Sequence, residues 1–391
     1  MLTGNSVDVA IVGGGVIGSA TAFFLRELGF AGRITVFEKD PSYQFASTPR
    51  SAASIRQQFT TPVSTQMSQF SFGFLEQLPE RFGPDGDIAL IRSAYLLLAD
   101  KAREPMLRAC YDSFIELGSE IAWLGQNELA VRYPWLNTED LVGGTLGQSG
   151  EGWFDAYMLL RVFRQQARRL GVEYVDQDVV GLERDGARIA AVLCADGTRV
   201  AAGVVVNAAG PGAGRVAALA GCMLPVEPRK RTMFVIKADL PAPAMPYIFD
   251  PAGMCIRPEG DRFICAAQLP EDRDPHPGED FEPDHFMFED VVWPLVAHRI
   301  PSMERLRLQS AWCGHYDMNL FDHNAVIGRH PEVENFIFAN GFSGHGVMHA
   351  PATGRGVAEL VMHDRYVSLD LGALAFERIA ANAPIREVLV Y

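Results

Sequence analysis

Between Val7 and Glu38 the chain reads VDVAIVGGGVIGSATAFFLRELGFAGRITVFE, and no other stretch limits the fold as strongly. An apolar run, Val7 to Val12, empties into Gly13, Gly15 and Gly18 at G-x-G-x-x-G spacing. A helical pattern follows with Ala20, Phe23, Phe24 and Leu28 on one face. A second apolar run, Ile34 to Phe37, ends at Glu38, about 20 residues past the last glycine. Strand, glycine turn, helix, strand and acid together make a dinucleotide-binding unit. Gly13 permits the tight turn, Gly15 lets a pyrophosphate approach the backbone, and Gly18 lets helix and strand pack closely. The N–H groups at the helix start favour phosphate, and Glu38 suits ribose hydroxyls. NAD and FAD both satisfy this unit. The acid argues only against a 2′-phosphate, hence against NADP.

A chain of 391 residues exceeds what one core usually supports, so two domains are expected. The formal charge of −14 opposes nucleic-acid binding, which needs a basic stripe. Cys110, Cys194, Cys222, Cys255, Cys265 and Cys313 are scattered without C-x-x-C or zinc spacing. His315, His323 and His330 also lack ligand spacing, so no metal is expected. Free thiols suit a reducing compartment, and the reading is cytoplasmic. The run Val9 to Leu25 has no preceding Lys or Arg and is broken by its glycine turn, so it reads as neither a signal peptide nor a membrane span.

Helical patterns fall around Val63–Leu78, Glu104–Leu117, Ala156–Leu170 and Ala352–Met362, with a strand-like run at Ala94–Leu98. GLERDGARIAAVLCADGTRV reads as a hairpin or small meander turning at Asp-Gly. Pro225 to Trp312 is richer in Pro and in short β-like runs. Within it, Pro270 to Pro283 is dense in Asp, Glu and Pro without periodicity and reads as a solvated loop. A second glycine-rich strand-to-helix turn stands in NFIFANGFSGHGVMHAPATGRGVAELV, and its four glycines from Gly341 to Gly354 favour a ligand-binding role.

These blocks, with VVVNAAGPGAG and AVIGRHP, resemble the D-amino-acid oxidase superfamily of FAD enzymes, in the branch of sarcosine and glycine oxidases. The segment WCGHYDMNLFDHNAVIGRHPEVENFIFANGFSGHGVMHAPATGR is similar to a subgroup that includes a mitochondrial flavoprotein of complex I assembly. The resemblance implies an α/β fold, α+β in part: a Rossmann-like FAD-binding domain with an interleaved β-rich substrate domain. It places the former at 1–86, 152–221 and 322–391 and the latter at 87–151 and 222–321. It implies that Gly13, Gly15, Val16, Ile17, Gly18, Glu38 and Lys39 hold the ADP half of FAD. Ser47, Thr48, Arg50, Ser51 and Ala52 would run along the pyrophosphate towards the flavin. Val179 would flank the adenine, and Ala208 and Gly210 would line the channel. Gly344, His345, Gly346, Val347 and Met348 would wrap the flavin ring.

Departures from the family pattern matter as much. Met348 stands where sarcosine oxidases have a lysine, and Tyr316 where glycine and D-amino-acid oxidases have an arginine. Arg56 matches a family arginine that grips substrate carboxylates, and Arg257 is a candidate replacement clamp. His345 is a candidate to tune the amine proton. The implied activity is oxidation of the C–N bond of a small amine or amino acid, secondary amines first, by hydride transfer to flavin N5. The alternatives are a 2-hydroxy-acid dehydrogenase, which needs a base for the alcohol proton, and a non-catalytic flavin-binding assembly protein. FAD is expected to be non-covalent. Cys313 aligns with a cysteine that carries covalent flavin in monomeric sarcosine oxidases, but its spacing to the Gly-Arg-His-Pro block is longer. The region Arg262 to Asp274 holds no lysine, so a quinone or protein electron acceptor is expected in place of oxygen.

Overall fold

The computed structural model describes residues 6–239, 245–269 and 273–389. Ser6–Val12 is an interior strand of an eight-stranded sheet, and Val9, Ala10 and Ile11 are fully buried because both faces are covered. It runs parallel to Ile34–Glu38 on one side and to Arg199–Asn207 on the other. Glu173–Asp176 continues the parallel series beyond Ile34–Glu38. The outer edge of Arg199–Asn207 is shared. Its first half pairs with the hairpin Val179–Asp185 and Arg188–Cys194, through Ala201 opposite Ala191. Its second half takes Phe336–Asn340 in parallel, with Val205 opposite Phe336. Val326–Arg329 then pairs antiparallel with Phe336–Asn340. The strands ending at Val12, Glu38, Asn207 and Asn340 therefore deliver their carboxyl ends to one edge, where open α/β sheets bind ligands.

Helices Val16–Glu27, Pro62–Phe82, Ala156–Arg169 and Gly346–His363 share one core with one face of this sheet, and Ala213–Leu219 packs into a second. Phe23, Phe24, Phe74 and Phe163 interlock there, with Phe74 and Phe163 stacked at 5.7 Å. The long helical patterns of the sequence are thus helices in the fold. Gly346–His363 begins earlier than its apolar periodicity suggests, because the glycine turn itself starts the helix.

The second eight-stranded sheet has the order Arg307–Asn319, Val226–Lys237, Arg262–Ala267, Met254–Glu259, Tyr247–Phe249, Tyr95–Asp100, Leu141–Gly147, Ile121–Gly125. Neighbours are antiparallel except Tyr247–Phe249 with Tyr95–Asp100, which are parallel. Its two faces carry separate cores. A mixed α/β fold with a Rossmann-like parallel sheet is what the sequence predicts.

One expectation needs correction. Of the stretch 270–283, residues 273–283 lie within the described residues, and they are not a merely solvated loop. Asp274 receives both terminal nitrogens of Arg231 at 2.9 and 2.8 Å, and Asp280 and Asp284 pair with Lys230. Phe281 stacks on His315 at 4.0 Å. Ion pairs to a strand some 40 residues away leave no local sequence signature.

Candidate active site

A continuous cavity of about 940 Å³ opens along the carboxyl edge of the first sheet and ends against the second. Its outer part is built from the glycine turn. Gly13 has φ +100°, and a Cβ there would lie 2.3 Å from the Ala208 carbonyl oxygen, so this position admits only glycine. Gly18 does not reach the cavity; a Cβ on it would meet the Gly13 oxygen at 1.9 Å. Gly15 differs, since a Cβ there would touch only Thr48 Oγ1, at 3.5 Å. Gly15 therefore keeps a cradle open towards the cavity, as a bound pyrophosphate requires. The Thr48 hydroxyl accepts the Val16 N–H at 3.2 Å, which fixes the 47–52 segment against the helix start. Glu38 accepts the Gly14 and Asp40 N–H groups at 2.8 and 2.9 Å, and burial raises its pKa.

The predicted cofactor residues Gly13, Gly15, Val16, Ile17, Glu38, Lys39, Ser47, Thr48, Arg50, Ser51, Ala52, Val179, Ala208 and Gly210 line this cavity, apart from Gly18 as described. So do Gly344 to Met348. That second turn is scaffolded from the neighbouring strand. Asp317 Oδ2 accepts the Gly341 and Phe342 N–H groups at 2.8 and 3.1 Å, and the Asp317 carbonyl accepts the Ser343 N–H. Burial raises the Asp317 carboxyl to about 6. Gly344, with φ +97°, presses on the Tyr316 ring, where a Cβ would come within 2.4 Å.

The inner end holds Arg56, Tyr316, His345 and Met348 together. Arg56 is buried, donates to the Gln58 and Leu389 carbonyls, and lies over the Phe59 ring at 4.2 Å. Its Nη2 stands 3.1 Å from His345 Nε2. Burial and the Arg56 charge hold His345 well below the usual imidazole range, so the ring is neutral and its Nε2 accepts from the guanidinium.

Arg257 is the exception among the predicted catalytic residues. It does not line the cavity: its guanidinium is committed to Glu259, the Pro258 carbonyl and the Ala52 carbonyl at 2.8 Å, over the Trp153 ring. It steadies the 47–52 segment from behind. Cys313 is fully buried, does not line the cavity, and its thiol pKa is raised by burial, which disfavours a covalent flavin link.

Sequence reasoning missed the aromatic wall. Tyr95, Tyr247 and Phe249 line the inner cavity, with Tyr95 stacked on Phe249 at 5.2 Å and Tyr247 at 4.5 Å from Phe249. The alternation of Tyr247 and Phe249 on one strand face was the available signal. Phe45 and Phe281, whose rings lie 4.8 Å apart, flank Arg50 at the rim and were also missed.

The model of the family described as DAO, FAD dependent oxidoreductase, matches residues 8–360. The chain belongs to that family. The protein is thus an FAD-dependent oxidoreductase, and the cradle at Gly15 fits the cofactor. It is 36% identical to FAD-dependent oxidoreductase domain-containing protein 1 of Xenopus laevis, over 97% of this chain and 84% of that one. Glycine oxidase of Geobacillus kaustophilus superimposes with TM-score 0.80 at 26% identity, covering 95% of this chain and 98% of that one. L-proline dehydrogenase of P. horikoshii superimposes with TM-score 0.86 at 23% identity, over 96% and 98% of the two chains. Among the described residues no helix is long and apolar enough to cross a membrane, and no cluster of metal-ligating side chains occurs.

Proposed function

We propose that this family member oxidises the C–N bond of a small amine or amino acid, secondary amines first, and hands the electrons to a quinone or protein acceptor. The observation that carries the reading is the continuity of one cavity. It runs from the nucleotide cradle to a chamber walled by Tyr95, Tyr247 and Phe249 and bearing Arg56. In this reading 1–86, 152–221 and 322–391 hold FAD and 87–151 and 222–321 enclose the substrate; the two large sheets support that division. Bound FAD supplies the hydride acceptor at its N5 atom. A neutral amine lone pair suffices to expel hydride from the α-carbon, so the chain need only orient the substrate and exclude water. Arg56 meets the substrate carboxylate, and the aromatic wall seats its apolar part. The glycine oxidase and L-proline dehydrogenase likenesses favour an amino or imino acid.

The same geometry disfavours a 2-hydroxy acid. That reaction needs a base for the alcohol proton. His345 Nε2 already accepts from Arg56, and the ring is held neutral far below neutral pH.

The arrangement of cations supports a quinone or protein acceptor. Arg231 is paired with Asp274, and Met348 brings no charge. In this reading the substrate carboxylate takes up the Arg56 charge at the inner end, which leaves less positive charge to stabilise superoxide. Six free, buried cysteines support a reducing compartment, with cytoplasmic placement.

Anaerobic bleaching of the flavin absorbance against a panel of amines and hydroxy acids tests the reading. Bleaching by a secondary amine or amino acid is expected. Bleaching by hydroxy acids alone would replace it with the alcohol reaction, and none at all would favour the non-catalytic assembly role. Reoxidation by air as fast as turnover with an artificial acceptor would make the protein an oxidase.

A further inference from the structure

The segment after residue 383 runs past Asp322 and Asn324 to the stretch that carries Arg56. Leu389 is the residue that arrives there. Its carbonyl accepts from Arg56 Nη2, and its side chain is buried in the same apolar cluster as Tyr95, Tyr247, Phe249 and Cys255. One residue thus holds the guanidinium through its carbonyl while its side chain belongs to the cluster that contains the aromatic wall.

What holds Leu389 in place is Glu387, which is fully buried. Its Oε1 accepts the Thr60 N–H at 3.1 Å and the Leu389 N–H at 3.0 Å, and its Oε2 accepts the Thr61 N–H at 3.0 Å. Thr60 and Thr61 immediately precede the helix Pro62–Phe82 and follow closely on the stretch Arg56–Gln58. The carboxylate therefore ties this segment to the loop that carries Arg56. Further anchors lie upstream. The Glu387 N–H reaches the Asp322 carbonyl at 3.0 Å, the Ile385 N–H reaches Asp322 Oδ2 at 3.2 Å, and Asn324 donates to the Ile385 carbonyl. Asp322 is itself fixed by the buried Arg378 at 2.8 Å.

We propose that the 385–389 segment braces the substrate site, with Glu387 as the positioning residue that sets the geometry of Arg56 through the Leu389 carbonyl. The inference rests on the reading that Arg56 receives a substrate carboxylate. Charge-assisted hydrogen bonds depend strongly on direction, so a guanidinium released from one of its fixed acceptors meets a carboxylate less well. Glu387 acts at one remove and touches no reacting atom.

The test uses the FAD-loaded protein and two probes. Benzoate reports the carboxylate anchor through the flavin absorbance, and sulfite reports the flavin N5 environment. Arg56→Lys is expected to weaken benzoate binding at least about tenfold. Glu387→Ala is expected to weaken it about tenfold too, with FAD content and sulfite affinity within about twofold of the unmodified protein. Where Glu387→Ala yields no FAD-loaded protein, Glu387→Gln decides, with an expected loss of about threefold or more. Benzoate affinity unchanged in the deciding Glu387 variant, while Arg56→Lys loses it, would overturn the proposal. So would an equal loss of sulfite affinity, which would mean that Glu387 shapes the whole flavin site. Unchanged benzoate binding in Arg56→Lys, or none in the unmodified protein, would instead overturn the role of Arg56 itself.

Discussion

At Gly18 a Cβ would fall 1.9 Å from the Gly13 carbonyl oxygen, whereas at Gly15 it would meet nothing closer than Thr48 Oγ1 at 3.5 Å. Two glycines of one motif thus answer to different demands, one to the protein's own packing and the other to its ligand. Gly15→Val should therefore fold with a melting temperature close to that of the FAD-free protein, yet purify colourless. Gly18→Val should fail to accumulate as folded protein, since an overpacked backbone contact costs about 1–3 kcal/mol or more. The FAD-to-protein absorbance ratio and far-UV circular dichroism separate the two; a yellow Gly15→Val would contradict the cradle. Such residues are legible in sequence because a turn is a local object whose spacing is its geometry. Arg257 was not. Its type and strand position suit a carboxylate clamp, and it shares a strand face with Cys255, which lines the cavity, but it lies farther along the strand, where its guanidinium is held by a 2.8 Å bond to the Ala52 carbonyl that spans about 200 positions.

Among the elements, the turn Gly341–Gly346 owes its shape to the strand Arg307–Asn319 beside it. Asp317 satisfies two of its N–H groups, and Ser343 Oγ accepts the Asn319 N–H at 3.0 Å. Asp317→Ala would strand two buried donors, each costing about 1–3 kcal/mol. Lower thermal stability and weaker FAD retention are expected together, measured by melting and by equilibrium dialysis; Asp317→Asn, which keeps one acceptor, should fall between. The 273–285 segment poses the opposite case. Its acids looked like solvated charge because their partners, Lys230 and Arg231, lie on a distant strand, and side chains of Arg231 and Asp274 are only 12% and 13% exposed. Arg231→Gln should speed amide hydrogen exchange across 274–285 and leave the strand Ser6–Val12 protected, because an unpaired Asp274 would draw water into that contact. Unchanged exchange there would mean that the Lys230 pairs and Phe281 stacking hold the segment without Arg231. Helices and the parallel strands were readable from periodicity, whereas this loop and the aromatic wall depend on pairings that no local pattern encodes.

Across the whole molecule, buried titratable groups of opposite tendency set the response to acid. Burial, reinforced by the Arg56 charge, holds His349 at about 3 and His345 well below its usual range. In the unfolded chain both take protons near pH 6.5, so they make stability fall as pH drops below that value. Burial raises Glu151 to about 7 and Asp317 to about 6. These acids hold protons in the folded chain that the unfolded chain has released, so their contribution runs the other way. It weakens stability as pH rises from about 4 through the folded values. Between about pH 6.5 and 4.5 the two pairs oppose each other. Below about 4.5 unfolded Glu151 and Asp317 also bind their protons, so the histidines act unopposed, each ring worth about 1.4 kcal/mol per pH unit, and acids held low by hydrogen bonds and ion pairs, such as the buried Glu359, add to the fall. The melting temperature should therefore decline gently from pH 6.5 to 4.5 and steeply beneath it. Glu151 provides the check. Its carboxylate accepts the Gln57 and Tyr95 N–H groups at 3.0 and 2.9 Å, so Glu151→Gln will lower stability at every pH. The informative quantity is the slope. With one opposing group gone, the decline between pH 6.5 and 4.5 should become steeper than in the unmodified protein, while the slope below pH 4 stays the same. Parallel profiles for the two proteins across the whole range would show that Glu151 does not hold its proton in the folded state.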